Sequence, residues 1–347
     1  MFKDSVEQNR VHRLGDGPEI DFDVLEPTYL LKTSGSSSQK SYLHRLSDIK
    51  KSVDSFLKVF PLVLEDRWGV CLSTNHVAGF SILARSYFGK LKDPHQFIWS
   101  VDSIEDEIKK NDLTVLSLVP TQIFDLVSKK IKAPLCIKYI FVGGAYISPS
   151  LFKGAKDLGW PLVGCYGSTE TFAQMSYSKD GSSLQAFPGW EFSLGKDDEI
   201  LLKGPGLYWA ELEEEKRLIK RVEEKFATGD RGSVEGESFK VLGKLSGKIK
   251  VKGSYFDFNK FKEGFLAKLL NEGLDLSDCF PVALEEERNG AGIYVVTTKS
   301  FKELDKLLKE ETLFRGAFRI ETDVFSEIGK PNKTKLEDVL LRRVVSL

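Results

Sequence analysis

A chain of 347 residues is too long for one small core and fits one large domain plus a smaller one. Its 50 basic and 51 acidic residues leave a net charge of −1, so no broad basic field exists to attract nucleic acid or an anionic membrane. No apolar run approaches the roughly 20 residues that span a bilayer, residues 1–23 hold no apolar signal core, and four cysteines without CxxC spacing and four histidines without HxH or HExxH argue against a disulfide framework or metal cage and for a reducing cytoplasm.

The first strand-like run, "YLL", leads into "KTSGSSSQK". In "SDIKKSVDSFLKVF" the residues Ile49, Val53, Phe56 and Phe60 share one helical face, and Ser47 is a candidate N-cap. "VAGFSILARSYF" (Val77 to Phe88) reads as a mostly buried helix. "LTVLSLVP" is strand-like, and "TQIFDLVSKK" then reads as a helix. "CIKYIFVGG" is strand then glycine turn, "PSLFKGAKDLG" a helix opened by proline and closed by glycine, and "PLVGCYGSTE" strand then turn again. Alternating strands and helices predict an α/β fold, a large domain with mostly parallel, helix-covered sheets.

Near Gly181 the pattern becomes glycine-punctuated and strand-rich, with a charged helix predicted around "AELEEEKRLIKRVEEKF". The rest reads as a small α+β set. "GKIKVKG" is a strand, "NKFKEGFLAKLLNEG" an amphipathic helix, "VALEEERNGAGIYVVTT" a hairpin with an Asn289–Gly290 turn, and "SFKELDKLLKEE" a second helix. The predicted division is 1–245 and 246–347, with a hinge in "GKLSGK".

Ligands of open α/β sheets gather beyond the carboxyl ends of the strands. Three unusual turns fall there: "TSGSSSQK", "VGGAY" and "CYGSTE". Hydroxyls, backbone N–H groups and a lysine suit phosphate, and glycine lets the backbone approach closely. The first is not a GxxxxGK[ST] loop, and a Gly/Ser loop alone is equally the composition of a surface linker. In "YGSTE", Tyr166 offers an aromatic face, Thr169 a hydroxyl and Glu170 a carboxylate suited to Mg2+. "ATGDRG" sets Asp230 where a carboxylate takes ribose hydroxyls. "IGKPNKTKL" ends the pattern with Lys330, Lys333 and Lys335.

In order and separation these motifs resemble the adenylate-forming superfamily of acyl-CoA synthetases, from about residue 29 onward. "TSGSSSQK" is similar to its phosphate loop, which implies that Thr33, Ser34, Gly35, Ser36, Ser37 and Lys40 contact ATP. "GGAYIS" and "YGSTE" are similar to its adenine and magnesium motifs, which implies nucleotide contacts from Gly143, Gly144, Ala145, Tyr166, Gly167 and Ser168. The same motif implies catalytic roles for Thr169 and Glu170, the latter as the Mg2+ ligand. Asp230 stands in its ribose motif, Lys244 in its hinge motif, and Lys330, with Lys333 in reserve, in its terminal lysine motif.

"CLSTNHVAGFSILARSYFGK" is more narrowly similar to the o-succinylbenzoate–CoA ligases of menaquinone synthesis, in a shortened form. That resemblance implies His76 and Arg85 in the acyl pocket, Arg85 holding the carboxylate that is not activated. It also implies ATP, Mg2+ and CoA as cofactor and co-substrates. Arg85 pairing with a buried acid, and His76 as a core histidine, are the structural alternatives. This chain departs from the family pattern at Ser38, at Lys40 one residue early, at Lys244 in place of arginine and at Ser246 in the hinge.

Overall fold

A computed structural model describes residues 2–8, 10–14, 24–33, 40–145, 147, 149–213, 217–245, 248–251, 254–258, 261–262, 264–265, 268, 279–286, 290–297 and 314–319. The chain runs α1 (Phe2–Ser5), β1 (Val11–Arg13), β2 (Thr28–Lys32), β3 (Ser41–Arg45), α2 (Leu46–Val59), β4 (Trp68–Val70), α3 (Val77–Phe88), β5 (His95–Gln96), α4 (Ile104–Lys110), β6 (Val115–Leu118), α5 (Pro120–Ser128), β7 (Tyr139–Val142), α6 (Pro149–Asp157) and β8 (Leu162–Ser168). Strands then dominate: β9 (Ala173–Ser178), β10 (Leu184–Ala186), β11 (Glu191–Leu194), β12 (Glu199–Lys203), β13 (Ala210–Glu213), β14 (Arg217–Lys220), β15 (Phe226–Glu235) and β16 (Ser238–Lys244). Last come β17 (Lys248–Val251), β18 (Ser254–Asp257), β19 (Cys279–Glu286), β20 (Gly290–Thr297) and β21 (Phe314–Arg319).

The large sheet has the order β11-β12-β15-β16-β10-β9-β8-β7-β6-β4-β5. Strands β5, β4, β6, β7 and β8 are mutually parallel, and β8 meets β9 antiparallel. The parallel part is buried on both faces, which is why its strands read as unbroken apolar runs. Side chains alternate with period two. Leu116, Leu118, Ile140 and Val142 join the core with Ile104, Ile123 and Phe152 of α4–α6. Phe141 faces the other way and packs on Phe56, Phe60 and Trp68.

Helix α2 buries Ile49, Val53 and Phe56, as its spacing predicts. Its N-cap is Arg45, not Ser47. Ser47 is the second residue of the helix, and both its N–H and its hydroxyl donate to the Glu26 carboxylate, at 2.7 and 2.8 Å. A carboxylate from another segment therefore does the work expected of the local hydroxyl. Helix α3 occupies the predicted residues.

The expected charged helix after residue 210 is instead the antiparallel pair β13–β14. Strand β13 adds to β3, with Ala210 opposite Leu43 and Leu212 opposite Ser41. Ala210 and Leu212 are buried with Val11, Leu30 and Leu43, while Glu211 and Glu213 alternate outward. The free edge of β3 and that apolar face override the helix propensity of the glutamates. The result is a second sheet, β1-β2-β3-β13-β14.

The described residues divide into two compact units, Met1–Thr228 with Ser233–Lys240, and Gly229–Gly232 with Val241–Leu347. The second unit holds a sheet ordered β18-β17-β20-β19, with β21 parallel to β20. The predicted hairpin is β19–β20, but Gly290 pairs with Glu286 inside the ladder rather than forming the turn. Asn289 and the "SFKELDKLLKEE" helix lie outside the described residues, as does most of "NKFKEGFLAKLLNEG". Among the described residues no helix is long and apolar enough to cross a membrane.

Candidate active site

The "YGSTE" turn sits where the large sheet changes from parallel to antiparallel pairing. Register slips between Tyr166 and Gly167, so the turn leaves the ladder in a bulge. A Cβ on Gly167 would lie 1.7 Å from the Ala173 carbonyl oxygen, so only glycine fits. Thr171 ties the turn internally: its Oγ1 accepts from the Ser168 N–H at 2.8 Å and donates to the Ala173 carbonyl at 2.8 Å. Phe172 and Ala173 both take left-handed φ values, +52° and +68°. Each costs of order 1–3 kcal/mol, a strain that clusters at functional turns.

The phosphate-loop segment is the connection of the β2–β3 hairpin. Its base is closed by the Thr33 N–H donating to the Lys40 carbonyl at 2.9 Å and the Lys40 N–H donating to Thr33 Oγ1 at 3.1 Å. Ser34, Gly35, Ser36 and Ser37 lie outside the described residues. Lys40 Nζ reaches Glu211 at 3.1 Å, on β13.

Strand β3 carries the hairpin base to the turn. His44 Nε2 donates to the Thr169 carbonyl at 2.8 Å, and the ring is wholly buried. Burial pulls the His44 imidazole down to about 4. Burial, then the charges of Glu170 and Glu211, drive the Tyr42 phenol well above its ordinary range. Tyr42 packs on Tyr208 with ring centroids 4.7 Å apart, and the Tyr208 N–H donates to the Glu170 carbonyl at 2.9 Å. Strand β3, which follows the Thr33–Lys40 base, is thus bonded to the turn at Thr169. Tyr42, His44, Tyr208 and Glu211 were not singled out from sequence; the only signal was the Tyr-x-His alternation just after the loop.

Gly143 and Gly144 follow β7, beside β8. Gly144 has φ +80°, and a Cβ on Gly143 would lie 3.5 Å from the Cys165 carbonyl oxygen. The "GGA" and "CYGSTE" turns, including Ala145, Tyr166 and Ser168, are therefore neighbours at the carboxyl ends of adjacent parallel strands.

Arg85 of α3 is 2% exposed, and its guanidinium carbon lies 4.2 Å from the Phe56 ring centroid and 5.8 Å from that of Trp68. Its Nη1 has no hydrogen-bond partner among the described residues. Burial pulls the guanidinium down to about 10, opposed by nearby Cys165, and burial pushes the Cys165 thiol up to about 12. The Cys165 thiol donates to the Val163 carbonyl at 3.5 Å, and Gln174 Oε1 is a second buried atom without a partner among the described residues. His76 is the N-cap of α3, with Nδ1 also unpartnered.

Asp230 belongs to the second unit and is 9% exposed, following Gly229 with φ +68°. Lys244 ends β16, with only its backbone described. Ser246, Lys330 and Lys333 lie outside the described residues. Among the described residues no three His, Cys, Asp or Glu side chains converge as a metal cage.

No family model matches the chain. It is similar to the 2-succinylbenzoate–CoA ligase of Bacillus pumilus, 26% identical over 241 residues, which cover 64% of this chain and 49% of that protein. The chain spans about half the length of the curated relatives it matches. Among solved structures it superposes on o-succinylbenzoate CoA synthetase from Bacillus subtilis in complex with the acyl-adenylate intermediate OSB-AMP. The TM-score is 0.73 at 21% identity, over 89% of this chain and 69% of that one. The chain has the adenylate-forming fold. The same synthetase in complex with ATP and magnesium ion matches with TM-score 0.72 at 20% identity, over 93% of this chain and 73% of that one.

Proposed function

We propose that the chain is an ATP-dependent acid–CoA ligase of the cytoplasm acting on o-succinylbenzoate in menaquinone biosynthesis. The observation that carries this reading is that β3, which follows the phosphate-loop base (Thr33, Lys40), is bonded to the Glu170 turn through His44 and the Thr169 carbonyl, with buried Arg85 near Cys165 of β8. The similarity to 2-succinylbenzoate–CoA ligases supports the substrate. In the first half-reaction a carboxylate oxygen of the acid attacks the α-phosphorus of ATP, and pyrophosphate leaves. In the second the CoA thiol displaces AMP from the acyl-adenylate.

Mg2+ keeps several waters and binds through one or two carboxylates plus substrate phosphates, so it needs no protein cage. The half-buried Glu170 carboxylate fits that requirement. Glu170 would hold the ion, which neutralises phosphate charge when bound. The hydroxyls of residues 33–37 and the backbone of Gly143–Ala145 surround the nucleotide, and Asp230 takes the ribose. Lys330, or Lys333 in its place, supplies the cation at the transferring phosphate, and residues 246–347 turn about Ser246 to admit CoA. These last assignments rest on the family resemblance.

A second reading is a ligase for another aryl or short acyl acid. It is favoured by the packing of the Arg85 guanidinium between Phe56 and Trp68, as a structural residue would pack. Pyrophosphate release with ATP and a panel of acids separates the two, and silence with every acid would point to a binding protein without turnover.

A further inference from the structure

We infer that Phe56, backed by Trp68, is a positioning residue of acid selection: its ring holds the Arg85 guanidinium in place and leaves an N–H donor for a second carboxylate on the substrate. The inference rests on the ligase reading above. A guanidinium that is 2% exposed needs compensation inside the protein. An internal carboxylate would supply it, but would also fill the fork that reads a substrate carboxylate. An aromatic ring attracts the cation through its quadrupole and offers no acceptor atom. The Arg85 guanidinium carbon lies over Phe56 at 4.2 Å and over Trp68 at 5.8 Å from the ring centroids. Its Nη1 is buried without a hydrogen-bond partner among the described residues. A structural arginine could pack on the same rings, but its buried nitrogens would be bonded. The orphaned donor is what separates a site made ready for a ligand from a core contact.

The rings that do the holding are themselves fixed. Phe56 stands on the buried face of α2 and packs on Phe141 and Phe187, with centroids 5.0 and 5.5 Å apart. The Trp68 indole N–H donates to Ser117 Oγ at 3.2 Å in the interior. Trp68, Ser117 and Phe141 belong to β4, β6 and β7, which are neighbouring parallel strands. Phe141 is two residues before Gly143 of the glycine turn. The clamp is therefore built on the sheet that carries the site, not on a loop, and rigid elements place such groups more closely. A long side chain whose rotamer is set beforehand loses less freedom when the acid binds.

The test replaces Phe56 in the full chain by phenylalanines carrying one, two and three ring fluorines. Fluorine drains the negative face of the ring in steps and leaves its shape nearly unchanged, so the core stays filled. With ATP, Mg2+ and CoA present, KM for o-succinylbenzoate should rise along the series. It should reach about tenfold at three fluorines, the range of a desolvated cation–ring contact. The kcat and the KM for ATP should stay within twofold of wild type. The same series placed on Arg85→Leu should be flat, because the ring acts through the guanidinium. A flat series in the otherwise wild-type chain overturns the inference. So does a KM for ATP that rises in step with that for the acid, which marks a merely structural ring. An equally steep series on Arg85→Leu overturns it as well. Absence of o-succinylbenzoate turnover by the unsubstituted chain overturns the ligase reading itself, and the inference with it.

Discussion

The Arg85 guanidinium lies 4.2 Å from the centre of the Phe56 ring, and its Nη1 has no hydrogen-bond partner among the described residues. A cation so placed gains about 2 kcal/mol from the ring, against a desolvation penalty of several kcal/mol. Part of that cost is recovered if a substrate carboxylate binds. Arg85→Leu should therefore leave the melting temperature unchanged or higher. It should raise KM for o-succinylbenzoate at least tenfold, by about 1.4 kcal/mol or more, and hardly change a monocarboxylic aryl acid. A destabilised fold with equal losses for both acids would place the partner inside the protein.

Gly167→Ala should be among the most damaging single changes in the chain. Its Cβ would meet backbone oxygen at 1.7 Å, and backbone cannot step aside as a flexible side chain can. A loss of about 4 kcal/mol or more is expected in chemical denaturation. Gly229→Ala is the contrast: its φ is +68° but no atom lies within 4 Å of the added Cβ, so it should cost about 1 kcal/mol. Equal losses for the two would contradict the geometry of the bulge.

His44 stays neutral in the fold down to about pH 4, whereas the unfolded chain takes up this proton near pH 6.5. The unfolded state thus binds more protons between those values. Stability should be full above pH 6.5 and fall by roughly 1.4 kcal/mol per pH unit on acidification towards pH 4. His44→Gln should flatten that part of the curve. Urea unfolding at pH 7.0, 5.5 and 4.5 reads both slopes, and parallel slopes would show that the buried imidazole is not their source.

Lys40 is paired with Glu211 rather than aimed into open space, at 3.1 Å. If the pair anchors the loop base, Lys40→Glu should weaken ATP binding, and adding Glu211→Lys should restore most of it. The effect should be small, since exposed pairs contribute about 0.2–1 kcal/mol. No recovery in the double variant would make Lys40 a direct phosphate ligand.

Much of the fold was legible because burial on both faces leaves apolar runs between turns, as at Val115–Leu118 and Tyr139–Val142. The boundaries of α3 were readable for a similar reason. The charged segment after residue 210 was not: glutamates favour helix locally, and only the edge of β3, far away in sequence, makes it a strand. The site showed the same limit. Glu170 and Thr169 stand in a recognisable motif, but His44, which holds the Thr169 carbonyl, lies 125 positions earlier. Strand alternation marks such residues as sharing a face without saying what they touch.

The central claim is acyl-adenylate formation at the Glu170 turn. It is tested most directly by mixing the full chain with ATP, Mg2+ and o-succinylbenzoate without CoA, and measuring pyrophosphate together with acyl-adenylate by mass. The account predicts both products with wild type, and a drop of about 10²–10³ in rate with Glu170→Gln, the size of loss seen when one charge-stabilising group is removed. Unchanged rates in Glu170→Gln, or no adenylate from any carboxylic acid, would contradict it.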